Sequence, residues 1–171
     1  MSTLPFTIFH FGPALCFGLP FRRHIHAPTF ILANVIVDFE PLLVLIFGLR
    51  YPLHGYLHTF LIAGFFGSFI GYLMFLLEKL LYKVFKKLFL EEEMTSKLKP
   101  FIIAGVSGTI FHVLLDSPLY SDIKPFYPVM VNPLYSPQLA SDIYGFCFWT
   151  GILGIAFYLY LVFSEIKGKA C

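Results

Sequence analysis

Apolar residues run along this chain in five blocks separated by short polar breaks, and each block is long enough to be read as a helix. The first, Leu4 to Leu19, is short and carries Pro5 and Pro13, which predicts a kinked, marginal span or a helix embedded part-way into a bilayer. Arg22 and Arg23 stop it. The second, Pro28 to Gly48, is a strong span of about 31 Å at a 1.5 Å rise per residue, interrupted by Asp38, Glu40 and Pro41. Gly55 to Leu77 is the third, with Gly64, Gly67 and Gly71 predicted to form one closely packed face, and it passes into an amphipathic basic segment from Glu78 to Lys99. Phe101 to Leu115 and Ile143 to Phe163 complete the set. The long connection between those two, Ser117 to Asp142, is rich in proline and carries Tyr120, Phe126, Tyr127 and Tyr135. It predicts an ordered cap at headgroup level rather than a loose linker.

Composition narrows this to one class. The chain has 171 residues, of which 58% are hydrophobic and 13% charged, and its mean hydropathy is +0.79; soluble domains carry about 25% charged residues. A soluble globule of this size could not hide that much apolar surface, and disorder needs the opposite balance. The expectation is an all-α integral membrane helical bundle, a single domain over residues 1–171 with about five transmembrane or embedded helices. A net charge of +2 gives no reason to invoke nucleic acid.

The distribution of charge says more than its total. With alternating runs, one side collects Arg22, Arg23, Lys79, Lys83, Lys86, Lys87, Lys97, Lys99, Lys167 and Lys169, against Arg50 and Lys124 on the other. The positive-inside rule then predicts a multi-pass protein of the plasma or inner membrane, N-terminus outside and C-terminus cytoplasmic. The arginines follow the first apolar run instead of preceding it, against the order of a signal peptide. The acidic run Glu91 to Glu93 reads as a solvated loop, and Cys16, Cys147 and Cys171, with no CxxC pair, read as apolar filler.

The few polar residues left inside the apolar runs carry the candidate chemistry. His24 and His26 fall beside the arginines and read as interfacial surface residues, whereas His10, His54, His58, His112, Asp116 and Asp122 fall towards the opposite side, with Asp38 at mid-depth. His54 and His58 are four apart, as are His112 and Asp116; on a helix each pair would present two ligands to one ion. Asn34 and Asp38 share that spacing, and a bend at Pro41 would let both Asp38 and Glu40 point inward. A buried aspartate near the bilayer centre costs roughly 2.5–3.5 kcal/mol, which a metal ion offsets. Imidazole and carboxylate donors without thiolate suit zinc first, then manganese or iron, as one ion or two.

The same residues carry a resemblance. Phe-His-Phe-Gly-Pro-Ala (9–14), Ala-Asn-Val-Ile-Val-Asp-Phe-Glu-Pro (33–41), His-Gly-Tyr-Leu-His-Thr (54–59), His-Val-Leu-Leu-Asp-Ser-Pro-Leu-Tyr (112–120) and Asn-Pro-Leu (132–134) together resemble the membrane-bound metal-dependent hydrolases, also described as LexA-binding and inner-membrane-associated. That family is in turn distantly similar to zinc-dependent phospholipase C. The resemblance implies His10, Asp38, His58, His112 and Asp116 as metal ligands, with His54 and Glu40 as ligands or as supports of ligands.

The leading expectation is therefore a hydrolase in which metal-activated water attacks a phosphoester or ester at the outer headgroup level, on a phospholipid or lipid-linked phosphate. Asp38 or Glu40 would be the general base, and Tyr120, Asp122 and Asn132 would orient the headgroup. Two alternatives compete with it. A proton or cation transporter would use the same buried acids, and a structural or assembly protein would use them only to fix helix packing.

Overall fold

The computed structural model describes residues 7–90 and 96–168, so Pro5, Glu91 to Glu93, Lys169 and Cys171 lie outside the described residues. The architecture is all-helical: α1 (Thr7–Gly18), α2 (Ala27–Ile36), α3 (Phe39–Phe47), α4 (Phe60–Lys87), α5 (Leu98–Asp116) and α6 (Ala140–Gly168). Four segments are long and apolar enough to cross a membrane: α2 with α3 (Ala27–Phe47), α4, α5, and α6 with the turn before it (Pro137–Lys167). The protein is consistent with a multi-pass membrane protein on that ground. α1 has 12 residues, about 18 Å at 1.5 Å per residue, well short of a hydrocarbon core of about 30 Å. It is not among the four candidate spans of the described residues.

Local chemistry explains where each helix starts and stops. α2 opens on His26, whose Nδ1 accepts from the Thr29 amide, and Pro28 occupies the first turn, where no amide donor is needed. Pro41 cannot donate to Val37, so the regular ladder fails at Val37–Asp38 and is replaced by short bonds from Asp38 N to Val35 O and from Glu40 N to Val37 O. α3 then ends on Gly48 in the left-handed conformation, at φ 58°. Thr59 caps α4 by accepting from Ile62 N.

The helices pack through small residues. A Cβ on Gly67 would lie 2.5 Å from Gly105 O and Thr109 Oγ1, and one on Gly71 2.5 Å from Phe101 O, so α4 and α5 meet backbone to backbone. Gly64 does not belong to that face, since a Cβ there would meet nothing within 4 Å. Thr109 Oγ1 donates to Ala63 O and Asn34 Nδ2 to Gly108 O, which ties α5 to α4 and to α2. Ala33, Ile70, Met74 and Phe101 fill the core between them. On the far side α1 runs beside α6, with Gly12 against Cys147 and Gly151.

The connection after α5 is an ordered cap. Ile123 is fully buried, Pro125 O accepts from Phe60 N, Ser136 N donates to Pro118 O, and Phe126 and Tyr127 pack edge-on against Phe60 and Tyr56. It is shorter than the sequence pattern predicts, because a helical turn at Pro137–Leu139 leads into α6 at Ala140, and Asp142 lies in that helix.

Candidate metal centre

The capped end of the bundle gathers the polar side chains. Asp38 sits at the break between α2 and α3, His112 and Asp116 stand one turn apart at the end of α5, and His58 occupies a 3-10 turn ahead of α4. Asp38, His58, His112 and Asp116 each offer one ligand atom, all within 4.8 Å of one another, and all four residues are buried. His112 Nε2 lies 3.4 Å from Asp38 Oδ1 and 3.3 Å from Asp116 Oδ2, and His58 Nε2 lies 3.9 Å from Asp116 Oδ2. His10 of α1 joins from the side, with Nε2 2.9 Å from Asp116 Oδ1 and its ring 4.1 Å from that of His112.

The outer faces of the two imidazoles decide how they present themselves. His112 Nδ1 is 2.6 Å from the backbone oxygen of Asn34. A carbonyl only accepts, so Nδ1 carries a proton and Nε2 is the nitrogen turned towards the centre, between Asp38 and Asp116. His58 is held the same way: Nδ1 donates to Glu40 Oε2 at 3.2 Å, leaving Nε2 inward. Burial pushes the His58 imidazole below its ordinary pKa despite the pull of Glu40, which favours the neutral form that ligates. An acceptor behind each ring is the arrangement that orients metal-ligating histidines.

The inward atoms lie near one another, but several make no hydrogen bond among the described residues. Asp38 Oδ1 and Oδ2, His58 Nε2 and His112 Nε2 are buried without a hydrogen bond of good geometry. Leaving buried carboxylate oxygens and ring nitrogens unsatisfied costs several kcal/mol, and a divalent cation at their meeting point satisfies all of them at once. The donor set of imidazole and carboxylate therefore fits a metal ion.

Around this group the structure corrects several expectations. His54 and His58 do not share a helix face, because Pro52 and Gly55 keep the chain in a loop and α4 begins only after Thr59. The two rings still lie 4.8 Å apart, but His54 is outside the four-residue group, and its Nδ1 is engaged by Asp122 at 3.0 and 3.1 Å. Burial draws the Asp122 carboxyl upward, and the hydrogen bonds from His54 outweigh it, leaving Asp122 below the ordinary aspartate value. Glu40 is engaged on both oxygens: Oε2 accepts from Gly55 N, Leu57 N and His58 Nδ1, and Oε1 from Tyr51 OH. Its position is that of a support for His58. Asn132 braces the cap itself, donating to Ser117 O and Tyr120 O while accepting from Leu134 N. Tyr120 lies against His54, ring centroids 4.2 Å apart, and burial, with the Asp116 charge adding to it, raises its phenol pKa.

Sequence reasoning missed a second polar cluster at the opposite end. His24 is exposed, as expected, but His26 is buried: Nδ1 is 2.6 Å from Thr29 Oγ1, Nε2 is 3.3 Å from Glu78 Oε2, and the ring stacks on Phe101. The one available signal was Glu78, a lone acid at the edge of an apolar run.

A cavity of ≈ 10 Å³ borders the centre, lined by His10, Asp38, Asp116, Tyr120, Tyr144 and Cys147 among others, which is about the space one water needs. A wider opening of ≈ 260 Å³ lies beside His54, Tyr56, Asp122, Lys124 and Tyr127. The arrangement can therefore hold a cation, a neighbouring water and a polar group entering past the cap. Comparison with known protein families, with curated proteins and with solved structures finds no match, so these residues and their geometry carry the functional reading.

Proposed function

We propose that the chain is a membrane-embedded metal-dependent hydrolase that cleaves a phosphoester or ester at the headgroup level of the outer leaflet. The observation that carries this reading is the convergence of Asp38, His58, His112 and Asp116, with ligand atoms of the first three lacking a hydrogen bond and proton acceptors behind both imidazoles. Zinc is the favoured ion, with manganese or iron also suited to the donors. A divalent ion there supplies Lewis acidity and makes water a usable nucleophile near neutral pH.

The chain's own residues do the rest. Asn34 O and Glu40 hold the two imidazoles in the ligating tautomer. With Asp38 in the ligand group and Glu40 committed to His58, proton transfer falls to His10, which lines the water-sized cavity and has Nδ1 without a hydrogen-bond partner among the described residues. Tyr120 remains an O–H donor at the rim of that cavity. Lys124 and Asp122, at the wider opening beside His54, supply charge for a phosphate headgroup and an anchor for the ring.

A conducting role has less support. Towards the other end of the bundle, the core layer of Ala33, Ile70, Met74 and Phe101 intervenes before the cluster of His26, Thr29 and Glu78, so the two polar groups are divided by apolar packing. A purely structural role leaves the unpartnered atoms of the centre without a reason.

Metal analysis of the protein purified in detergent tests the proposal. The expected result is stoichiometric zinc, manganese or iron, lost in both His58→Ala and Asp116→Ala while the helix content is kept. Full metal content in both variants overturns the assignment of the site.

A further inference from the structure

A second opening, apolar and wider than the cavity at the polar centre, lies beside it. It is a groove of ≈ 620 Å³ between α1 and α6, edged by Val35 of α2, and its walls are apolar. Gly12 and Gly151 form part of its floor, and Phe11, Phe148, Ile152 and Ile155 rise along it. These four side chains are 44–57% exposed on the outer surface of the bundle. α6 is one of the four segments fit to cross a membrane, so in a bilayer this surface faces hydrocarbon and not water.

Two features separate the groove from an ordinary lipid-facing surface. It adjoins the polar centre, because Phe9 and Cys147 line both the groove and the small cavity bordered by His10, Asp38 and Asp116. Its length also fits one leaflet. From Cys147 to Ile155 along α6 is about 12 Å at 1.5 Å per residue, against about 15 Å for half of a 30 Å hydrocarbon core. A chain lying in the groove would run parallel to the helices with its polar end at His10 and Asp116. The volume is within the roughly 300–1,000 Å³ of small-molecule sites.

We infer that the groove between α1 and α6 seats one hydrocarbon chain of a membrane lipid, which enters sideways from the bilayer and delivers its ester or phosphoester linkage to the polar centre. This rests on the hydrolase reading for what happens at the centre, and on the groove alone for which class of molecule arrives there. The substrate is then an amphiphile with a chain long enough to reach the bilayer midplane, and not a water-soluble ester.

The experiment uses the metal-loaded protein in vesicles of phosphatidylethanolamine and phosphatidylglycerol that contain phosphatidylglycerol with a photoreactive diazirine midway along one acyl chain. After irradiation, labelled residues are mapped by peptide mass spectrometry. Phe65 and Phe69 of α4 are the internal control, because at 69% and 59% exposed they meet lipid at least as freely as the groove residues do. Labelling at 11–15 and 148–155 is expected to exceed that control several-fold.

Gly151→Leu then fills the groove. A Cβ at this position meets only Gly12 Cα, at 3.6 Å, an ordinary contact, so the first atom of the new side chain has room, and unchanged helix content and metal content check that the rest is accommodated. The expected outcome is groove labelling reduced to the α4 level with metal content unchanged. Ile155→Trp, at the deep end, is the second variant and is expected to shorten the labelled stretch. Equal labelling of groove and α4 in the unmutated protein, or undiminished groove labelling in Gly151→Leu, overturns the inference even where the metal is in place. Selective groove labelling together with full metal in His58→Ala and Asp116→Ala would instead overturn the hydrolase reading and leave the lipid site standing.

Discussion

Replacing Glu40 by glutamine separates a support for His58 from a general base. Glu40 accepts from Gly55 N and Leu57 N at 3.1 Å, and from His58 Nδ1 and Tyr51 OH at 3.2 Å. The glutamine oxygen can keep the first three bonds, and the tyrosine hydroxyl can turn to accept from the new NH2, so the local shape survives while the charge is lost. Bonds to a charged acceptor contribute about 1.5–3 kcal/mol and neutral ones about 0.5–1.5 kcal/mol, which makes the change a loss of roughly 1 kcal/mol per bond. For the metal, removing an outer support of a ligating histidine weakens binding about 10–100-fold, or about 1.4–2.7 kcal/mol. Titration with zinc against a chromogenic chelator in detergent reads the affinity, and a thermal melt of the same sample reads the fold. Glu40→Ala should be worse on both counts, because it leaves two backbone amides without their acceptor. Unchanged zinc affinity in Glu40→Gln, with turnover abolished, would refute the argument and return Glu40 to the role of base.

Other consequences follow from the packing and from the second polar cluster. Gly67→Ala should destabilise the bundle by about 1–3 kcal/mol through overpacking, because its Cβ would lie 2.5 Å from the Gly105 carbonyl; Gly64→Ala, with nothing within 4 Å, should leave the melting temperature unaltered. His26→Ala breaks the buried contact with Glu78 and should cost about 3–5 kcal/mol with no change in metal content, which marks that cluster as structural; loss of metal there would refute the separation of the two ends. Because His54 holds Asp122 below its ordinary pKa against the opposing effect of burial, the folded cap binds that proton less readily than the unfolded chain does. Its stabilising contribution is then present above about pH 3.9 and lost as pH falls through the lower folded value. The protection factor of the His54 amide, with the intrinsic pH dependence of exchange divided out, should fall over that window and stay constant in Asp122→Asn.

The parts of the site legible from sequence are those whose geometry is local. His112 and Asp116 sit on an unbroken helix, so a spacing of four does place both at one point. Pro41 removes one amide donor, and the break it forces at Asp38 was readable for the same reason. His54 and His58 have the identical spacing and yet part company, because a helix that starts at Phe60 gives residues before it no helical face. His58 reaches the centre through Glu40, across a loop, and His54 turns to Asp122 from the cap. Both partners are set by tertiary contact, which no periodicity encodes. His26 shows the same limit with the sign reversed: a histidine beside two arginines looks like surface until α4 folds back and sets Glu78 against it. The groove is the extreme case, since its floor comes from two glycines on α1 and α6. Each alone is an ordinary small residue in an apolar run, and only their contact leaves a space beside the polar centre. In a chain with so few charges, helix-local spacing therefore identifies the candidate ligands that share α5, while the residues that orient them and the proposed route for a lipid emerge only when distant segments meet.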